Sequence, residues 1–547
     1  MEIELYDTTL RDGMQREGIS LSVEDKLKIA RRLEDLGIHY IEGGWPGSNP
    51  KDAEFYVKAQ HLGLQQAVVV AFGSTRRANV EAAADGNLLA ILEARVRAAT
   101  LVGKSSILHV HSVLNTSPSE NLAMIADSIR FLKSRGLIVF FDAEHFFDGF
   151  KVNREYALQT LRAASGAGAE AVVLCDTNGG TLPHEIRDIV AAVREQIDTK
   201  IGIHTHNDCE TAVAGTLAAV QGGARHVQGT INGYGERCGN ANLCSIIPSL
   251  KLKLGIPCVT DTQLAKLTET SRFVSEIANL VPDPHLPFVG LSAFAHKAGY
   301  HVDAMVKNEE SYQHIDPALV GNRKRIIISD LAGRRTVEYK AKEKGLTFEN
   351  GEQTRSILET IKELESQGFQ FDGAEASFEL LVRRSQRDYQ PPFELVDFMV
   401  LVEKRRRPSS LGNGDELLAE AMVKVRVGTE IMHTAAEGNG PVNALDLAVR
   451  KALMQFYPSM GAIRLTDYKV RVLDEEAGTD APVRVLIEST DGEHQWSTVG
   501  SSPNIIEASW LALADSLEYW LIKHGLNGNL TPAELPAQFQ PCSPPNE

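Results

Sequence analysis

Residues 3–13 read IELYDTTLRDG, a short apolar run followed at once by polar and charged side chains. The run Ile3–Asp7 has the composition of a buried parallel strand, and the chain beyond it predicts a helix over Val23–Leu36. Ser22 and Asp25 form the capping pattern expected where such a helix begins. The opening of the chain therefore predicts one strand–helix unit with a polar loop between its two elements.

Similar apolar runs recur through about the first 255 residues, with helical patterns between them. The predicted strands are Ile3–Asp7, His39–Gly43, Ala67–Phe72, Ser106–Val110, Leu137–Asp142, Ala171–Asp176, Ile201–His204 and Val227–Ile231. Eight strand–helix units in this length match a (β/α)₈ barrel in count and size. A doubly wound open sheet is the alternative, but no G-x-G-x-x-G fingerprint follows any of the strands. The sequence predicts an α/β fold whose catalytic domain, residues 1–260, is a TIM barrel.

The composition is that of an ordinary globular chain of 547 residues. Hydrophobic residues make up 43% and charged residues 23%, and 56 Lys+Arg against 72 Asp+Glu give a net charge of −16. Because phosphate backbones and anionic lipids need clustered cations, this charge argues against binding to nucleic acids or membrane surfaces. Small anionic ligands held by a few local cations remain compatible with it.

The cysteine content and the N-terminus bear on the cellular compartment. The six cysteines form no C-x-x-C pair, which favours a reduced, cytoplasmic protein over a disulfide scaffold or a zinc–cysteine site. The first residues have neither the basic nor the apolar region of a secretory signal. No apolar run approaches the roughly 18 residues of a membrane span. The sequence therefore predicts a cytoplasmic protein without a membrane segment.

The polar residues after each predicted strand would meet at one rim of a barrel. His204 and His206 end one strand, and alternation puts both rings on the same face, about 6–7 Å apart. Asp12 could supply an anionic oxygen from the opposite side of the mouth. Two histidines, one carboxylate and open positions suit a divalent cation such as Mn²⁺, Zn²⁺, Mg²⁺ or Fe²⁺. Two histidines that are merely hydrogen-bonded at a strand end are the alternative.

For other residues at the rim, the sequence pattern alone is compatible with more than one role. Arg11 is a permanently charged donor that suits a carboxylate or a developing enolate oxygen. Glu144 lies among phenylalanines that could raise its carboxyl pKa by desolvation, although pairing with Arg11 or Arg154 is equally compatible with the pattern. His109 and His111 are expected at the end of the fourth strand.

Three motifs carry a family resemblance: DTTLRDG at 7–13, HTHND at 204–208 and NGYGERCGN at 232–240. Together they resemble the DRE-TIM metallolyase superfamily, and within it the 2-isopropylmalate, homocitrate and citramalate synthases. EGGWPGSNPK at 42–51 and DAEHFFDG at 142–149 are similar to the long-form citramalate synthases in particular. The isopropylmalate synthases usually have a Ser-Pro-Glu-Asp pattern where this chain has Ala-Glu-His-Phe.

The resemblance implies a Claisen-type condensation of acetyl-CoA with pyruvate, then thioester hydrolysis to (R)-citramalate and CoA on the route to isoleucine. It also implies a divalent metal held by Asp12, His204 and His206, with Asn240 completing the shell. 2-Isopropylmalate synthase and homocitrate synthase are the nearest alternatives, since they differ in the pocket for the keto-acid side chain. A retro-aldol lyase and a catalytically inactive amino-acid sensor are more distant ones.

The same resemblance assigns roles to further residues. Arg11 would stabilise the enolate or alkoxide oxygen, while Glu144 and Thr177 would orient the substrate, Thr177 on the keto-acid carboxylate. His301 and Tyr312 match a segment that reaches a neighbouring subunit's site in the family. Proton relay and water activation are assigned to these two, with Glu144 as the competing base. A histidine that only packs against a helix is the alternative for His301.

The second half of the chain changes character twice. Residues 261–390 predict mostly helical linker subdomains that contribute to the active site. Residues 391–525 alternate like strands and are internally duplicated, since 397–403 resembles 467–473 and 438–446 resembles 500–507. Each copy predicts three strands and a helix, and a Gly/Ser/Pro loop opens each helix, where free N–H groups suit a carboxylate. The predicted fold of this domain is α+β with duplicated βββα units.

This duplicated domain also resembles the regulatory domain of the family, which binds the end-product amino acid. The resemblance implies isoleucine as the effector of a citramalate synthase, bound near Gly438, Asn443, Gly500 and Asn504, and a homodimer or higher oligomer. A dimerisation module without a ligand is the alternative. The proline-rich residues 526–547 predict a disordered tail.

Overall fold

A computed structural model describes residues 3–526, except 330, 349, 407–414 and 475. The chain divides into one unit formed by Met1–Phe294 with Gln313–Lys324 and another formed by Ala295–Tyr312 with Arg325–Glu547. The tail predicted for 526–547 lies, beyond its first residue, outside the described residues. No helix in the described ranges is long and apolar enough to cross a bilayer.

Eight parallel strands form a closed barrel in the first unit. They are β1 (Glu4–Asp7), β2 (Tyr40–Gly44), β3 (Val68–Ser74), β4 (Ala98–Lys104), β5 (Ile138–Glu144), β6 (Ala171–Asp176), β7 (Lys200–Thr205) and β8 (His226–Gly229). β1 pairs with both β2 and β8, and Asp7 lies opposite Ile41 on one side and Gly229 on the other. The predicted TIM barrel is confirmed, and the open-sheet alternative is wrong.

Helices surround the barrel and pack on its strands. They are α1 (Val23–Leu36), α2 (Pro50–Ala59), α3 (Gly86–Glu93), α4 (Ile107–Ser112), α5 (Pro118–Ser134), α6 (Phe146–Val152), α7 (Arg154–Gly166), α8 (Pro183–Arg194), α9 (Ala212–Gly222), α10 (Leu243–Pro248), α11 (Asp261–Leu264) and α12 (Leu267–Ile277). α1 begins with the predicted capping box between Ser22 and Asp25 and ends at Gly37, whose φ of 90° favours glycine. The sequence therefore defined both ends of this helix.

The fourth strand lies earlier in the chain than its predicted position. β4 is Ala98–Lys104, whereas Ser106–Val110, predicted as a strand, contributes to helix α4. A short apolar run does not distinguish a strand from a helix by periodicity alone. His109 and His111 consequently lie on α4 and not at a strand end.

The inside of the barrel is filled by side chains and is not a pore. A buried cluster in its interior contains Tyr6, Val70, Ala98, Phe140 and Ala171. Phe140 packs edge-on against Tyr6, with ring centroids 5.9 Å apart. A ligand therefore has access only at an end of the barrel, and the polar loops at the carboxyl ends of the strands form the end that carries function in this fold.

The second unit begins with short strands and helices and ends with a duplicated α+β region. The first elements are β9 (Ala295–His296), α13 (Gly299–Lys307), β10 (Arg325–Ile326), α14 (Arg334–Glu343), α15 (Gly351–Ser366) and α16 (Glu375–Arg384). One copy follows as β11 (Glu394–Arg406), β12 (Asp415–Val427), β13 (Glu430–Gly438) and α17 (Pro441–Leu453). The other is β14 (Arg464–Val472), β15 (Val483–Thr490), β16 (Gln495–Ser502) and α18 (Ile505–Lys523).

The two copies share a detail of strand pairing as well as their order of elements. Each forms a three-stranded antiparallel sheet. The register shifts between Leu395 and Asp397 in β11 and between Leu465 and Asp467 in β14. These are equivalent places in the predicted duplication, which the structure confirms as two βββα units.

Candidate metal and substrate site

Three predicted ligands come together at the C-terminal rim of the barrel. Asp12 lies in the loop after β1, and His204 and His206 lie at and just beyond the end of β7. Nε2 of His204 is 3.1 Å from Nε2 of His206 and 3.3 Å from Oδ2 of Asp12. Nε2 of His206 lies 4.0 Å from the same oxygen of Asp12. Bonds of about 2.1 Å to one ion place neighbouring ligand atoms roughly 3–3.5 Å apart. The three atoms are therefore close enough to hold one divalent cation.

Asn240 lies beside this triad and is itself buried. Its Nδ2 donates to Oδ2 of Asp12 over 2.8 Å, and its Oδ1 has no hydrogen-bond partner among the described residues. A half-turn of the amide exchanges the two atoms and directs the oxygen toward Asp12. In that exchanged orientation the amide oxygen would lie next to two imidazoles and a carboxylate, a set of ligands that fits a divalent cation.

Gln228 on β8 orients one of the histidines, a role that sequence reasoning missed. Its Oε1 lies 2.9 Å from Nδ1 of His204, and its Nε2 donates to Oδ1 of Asp142 over 3.0 Å. Because Oε1 only accepts, Nδ1 of His204 carries a proton, and Nε2 is the nitrogen that faces the triad. Burial, together with the nearby carboxylate of Glu42, raises the pKa of Asp142 to about 7. The polar Gln228 within a buried strand was the signal available in the sequence.

The charge states of Asp12 and His206 suit metal binding. Burial opposes ionisation of Asp12, but the Arg11 guanidinium and the two histidines hold its pKa well below the usual range. Burial, together with the neighbouring His204, lowers the pKa of His206 to about 4. The His206 ring is thus neutral near pH 7, the form in which imidazole binds metals.

Arg11 is held rigidly next to the triad. Its Nε donates to Oε1 of the buried Glu42 over 2.5 Å, and its guanidinium carbon lies 4.0 Å from the centre of the Phe72 ring. The hydroxyl of Tyr6 donates to the other oxygen of Glu42 over 2.7 Å. Nη1 lies 3.5 Å from Oδ1 of Asp12. The guanidinium therefore sits at a fixed place at the rim.

Glu144 pairs with Lys104 at the ends of two neighbouring strands, and not with Arg11 or Arg154 as considered from the sequence. Thr177 follows β6, and its Oγ1 accepts a hydrogen bond of 2.9 Å from the backbone N–H of the residue after Glu144. Both Glu144 and Thr177 face the same cavity as the triad. The structure thus brings the predicted substrate-orienting residues together with the predicted metal ligands.

These side chains surround a cavity of about 240 Å³. Its lining includes Arg11, Asp12, Trp45, Phe72, Val102, Asp142, Glu144, Cys175, Thr177, His204, His206 and Arg237. The volume is below the roughly 300–1,000 Å³ of sites for drug-sized ligands. A small organic acid matches the size of the cavity, where Arg11 and the metal-ligating residues can bind its oxygens.

His301 and Tyr312, predicted to act in proton relay, lie together in the second unit. Their rings stack with centroids 4.3 Å apart and an angle of 27° between their planes. His301 belongs to α13, and Tyr312 follows it at the end of the same segment. Their proximity is compatible with a shared role, and the catalytic assignment stays a prediction.

The four residues predicted near the effector have structural contacts within their own copies. Oδ1 of Asn504 caps α18 by accepting from two backbone N–H groups, and Oδ1 of Asn443 accepts from the N–H of Asn439. A Cβ at Gly438 would lie 2.4 Å from the backbone nitrogen of a residue in α17, and one at Gly500 would lie 2.0 Å from a backbone oxygen in α18. The glycines therefore allow each sheet to approach its helix, and effector binding stays a prediction.

A closed (β/α)₈ barrel with two histidines and an aspartate at its C-terminal rim defines a class of metal-binding TIM-barrel proteins. Residues 2–274 match the HMGL-like family, residues 288–368 the homocitrate synthase post-HMGL domain-like family, and residues 372–521 the LeuA allosteric (dimerisation) domain. The chain belongs to the family of the (R)-citramalate synthases, as its similarity to full-length relatives shows.

Three of these relatives illustrate the similarity. The (R)-citramalate synthase of Geobacter sulfurreducens is 54% identical over 95% of this chain and 98% of its own length. The (R)-citramalate synthase of Aquifex aeolicus is 51% identical over 97% of this chain and 99% of its own length. That of Methanocaldococcus jannaschii is 32% identical over 95% of this chain and 100% of its own length. Among solved structures, the hydroxymethylglutaryl-CoA lyase of Pseudomonas aeruginosa aligns with 51% of this chain and 94% of its own, at 19% identity and a TM-score of 0.43.

Proposed function

We propose that this chain catalyses the metal-dependent condensation of acetyl-CoA with pyruvate, followed by thioester hydrolysis to (R)-citramalate and CoA. The observation that carries the proposal is the full-length similarity to five relatives named (R)-citramalate synthase, which are 47–54% identical over 94–97% of the chain. The small cavity beside the triad supports it, since pyruvate is a small keto acid. The reaction would make the chain an acyltransferase on the pyruvate route to isoleucine.

Asp12, His204, His206 and Asn240 would hold a divalent metal, Mn²⁺, Mg²⁺ or Zn²⁺, which when bound supplies Lewis acidity to the keto group. Gln228 keeps the ring of His204 in the required tautomer through its hydrogen bond to Nδ1. The low pKa of Asp12 keeps its carboxylate charged across the physiological range.

Arg11 and Thr177 would position the keto acid. Arg11 carries a permanent charge, and its Nη groups are the donors that remain after Nε binds Glu42. Donors that are already oriented stabilise the negative oxygen that develops when the new carbon–carbon bond forms. The hydroxyl of Thr177 would donate to the keto-acid carboxylate, because it lines the same cavity and already accepts a backbone N–H.

Removal of a proton from the acetyl methyl group needs a base, and two candidates exist. The carboxylate of Glu144 lines the cavity, where the ammonium of Lys104 fixes its place. His301 with Tyr312 is the other candidate, and the stacked pair would also activate the water that hydrolyses the thioester. We assign relay and water activation to His301 and Tyr312 and keep Glu144 as the competing base.

The duplicated C-terminal region would regulate the enzyme. Its match to the LeuA allosteric (dimerisation) domain supports a homodimer or higher oligomer and an amino-acid effector. Isoleucine, the end product of the proposed route, would bind near Asn443 and Asn504, close to the N-termini of α17 and α18. Such helix ends offer N–H groups to a carboxylate.

Release of CoA measured with three keto acids tests the proposed reaction. Pyruvate should give the highest kcat/KM, above 2-ketoisovalerate and 2-ketoglutarate, and the product should be identified as citramalate. Metal removal with a chelator should abolish release, and adding Mn²⁺, Mg²⁺ or Zn²⁺ should restore it. A clear preference for 2-ketoisovalerate or 2-ketoglutarate would instead support an isopropylmalate or a homocitrate synthase.

A further inference from the structure

Trp45 stands between two cavities at the rim of the barrel. It follows β2 and lines the 240 Å³ cavity next to the metal-ligating triad. It also lines a second cavity of about 440 Å³. Val102 and Glu144 likewise line both cavities. The second cavity continues along residues that follow β3 and β4. The indole is thus part of the wall that separates the two spaces.

The indole is held in place from several directions. Its Nε1 donates to Oδ1 of Asn87 over 2.6 Å, and Nδ2 of Asn87 donates to the backbone oxygen of Ser74 over 2.7 Å. The ring packs edge-on against Phe72, with centroids 5.4 Å apart and an angle of 76°. The backbone N–H of Trp45 donates to Oδ2 of Asp52 over 2.9 Å. A side chain anchored at both ends forms a rigid wall rather than an adaptable one.

The apolar side chains of the triad cavity lie on consecutive strand units. Trp45 follows β2, Phe72 lies on β3 and Val102 lies on β4. The residues of the triad, by contrast, follow β1 or lie at the end of β7. A 2-keto acid whose oxygens are bound at the triad therefore presents its carbon substituent to these apolar side chains. The distance to that wall limits the size of the substituent.

We propose that Trp45 is the specificity-determining residue that restricts the 2-keto acid to a methyl substituent, and that Asn87 is the positioning residue that holds the indole. The inference rests on the proposed condensation and names the group that selects its keto acid. Truncation of the indole would join the two cavities and leave room for a longer or branched substituent.

The test compares kcat/KM for pyruvate, 2-ketobutyrate and 2-ketoisovalerate in the wild type and in Trp45→Ala, Trp45→Leu and Trp45→Phe. One methylene group in an apolar pocket changes kcat/KM by about 10- to 200-fold. Trp45→Ala and Trp45→Leu should therefore raise the ratio of 2-ketobutyrate to pyruvate by at least about ten-fold. Trp45→Phe, which keeps an aromatic ring on Phe72, should give a smaller rise. An unchanged ratio in the Leu and Phe variants overturns the proposal, even if the Ala variant does not fold.

The role of Asn87 has its own matched pair of variants. Asn87→Leu removes the acceptor for the indole N–H, and Asn87→Asp keeps it. The Leu variant should shift the keto-acid ratio in the same direction as Trp45→Leu, by a smaller factor. The Asp variant keeps the acceptor for the indole but loses the donor to Ser74, and it should stay closer to the wild-type ratio than the Leu variant. A purely structural role would lower kcat and thermal stability for all three keto acids alike and leave the ratio unchanged, which would refute the assignment.

Failure of the proposed reaction can be told apart from failure of this inference. If the wild type prefers a keto acid larger than pyruvate, the proposed substrate is wrong, and the shift of each variant relative to the wild type still tests Trp45. If the wild type prefers pyruvate and the variants show the same preference, the reaction stands and Trp45 does not set the size limit.

Discussion

Single side chains at the rim decide which ring nitrogens face the candidate metal. Gln228 fixes the tautomer of His204, and Asp142 in turn accepts from Gln228. Partners of this kind change metal affinity without touching the metal themselves. The effect of Gln228 on metal affinity can therefore be measured separately from that of the metal-ligating residues.

Gln228→Leu should lower the affinity for the divalent metal about 10- to 100-fold, because His204 loses the acceptor that fixes its Nδ1 proton. A chelator competition titration measures the change directly, without reference to turnover. Gln221→Leu is the matched control, since Gln221 is an exposed residue of α9 and should leave the affinity unchanged. Equal affinities in the two variants would show that Gln228 does not act on the metal site.

The triad itself was predictable from sequence, whereas its surroundings were not. Asp12 lies in the loop after an apolar strand and His204 and His206 lie at the end of another, so a barrel brings them to one rim. The hydrogen bond between His204 and Gln228 joins residues 24 positions apart, and the one between Trp45 and Asn87 spans 42. Such contacts depend on the register of separate strands and on the path of loops, which no local pattern encodes.

At the scale of elements, the strands were predicted from their apolar composition. The prediction was correct where no second apolar run lay nearby in the sequence. β6 and β7 contain such runs and lie close to their predicted positions. The predicted position of the fourth strand was wrong because Ala98–Lys104 and Ser106–Val110 are neighbouring apolar runs, and only one of them forms the strand. In α4 only Val110 is buried, a pattern that fits an amphipathic helix turn better than a strand buried on both faces.

Helix α1 is joined to the first turn of helix α2 by a buried ion pair. Nζ of Lys26 lies 2.5 Å from Oδ1 of Asp52 and donates to the backbone oxygen of Gly43 over 3.0 Å. The other oxygen of Asp52 accepts the N–H of Trp45. This pair therefore connects the packing of a helix with the position of the cavity wall.

Lys26→Met should lower the free energy of unfolding by about 3–5 kcal/mol, because it leaves the carboxylate of Asp52 buried without its cation. Urea denaturation followed by circular dichroism measures the loss. Lys28→Met on the same helix is the matched control, since Lys28 is exposed, and it should change the free energy by less than about 0.5 kcal/mol. The double variant Lys26→Met/Asp52→Leu should recover much of the loss, and an equally unstable double variant would contradict this explanation.

For the molecule as a whole, regulation through the duplicated region can be tested at Asn504. Isoleucine should inhibit CoA release by the wild type, and leucine should inhibit less. Asn504→Asp keeps an acceptor for the helix cap but adds a negative charge that repels the effector carboxylate, so inhibition should be lost while the unfolding temperature stays unchanged. Asn504→Ser keeps the cap without the charge and should retain inhibition.

Two outcomes would contradict this model of regulation. Full inhibition of the Asp variant would place the effector elsewhere, and no inhibition of the wild type would favour a dimerisation module without a ligand. Light scattering on the same samples should give at least twice the chain mass of 59.8 kDa. A monomer in solution would count against oligomerisation through this region.

The order of elements was predicted well at this scale, because the duplication and the strand–helix alternation are both local in sequence. The two βββα copies follow one another directly, and each sheet is built from consecutive strands. The prediction could not supply the shared register shifts before Asp397 and Asp467, since a bulge depends on the pairing partner.

The closure of the barrel has a consequence for how the chain acquires its structure. β1 pairs with β8, and Glu4 and His226 on these strands are 222 positions apart. During synthesis, the outer edge of β1 has no strand to pair with until the ribosome has completed β8. The two C-terminal copies, by contrast, can each pair their strands as soon as these emerge. The barrel thus depends on a late, long-range step, and slow closure would expose its apolar strands to aggregation.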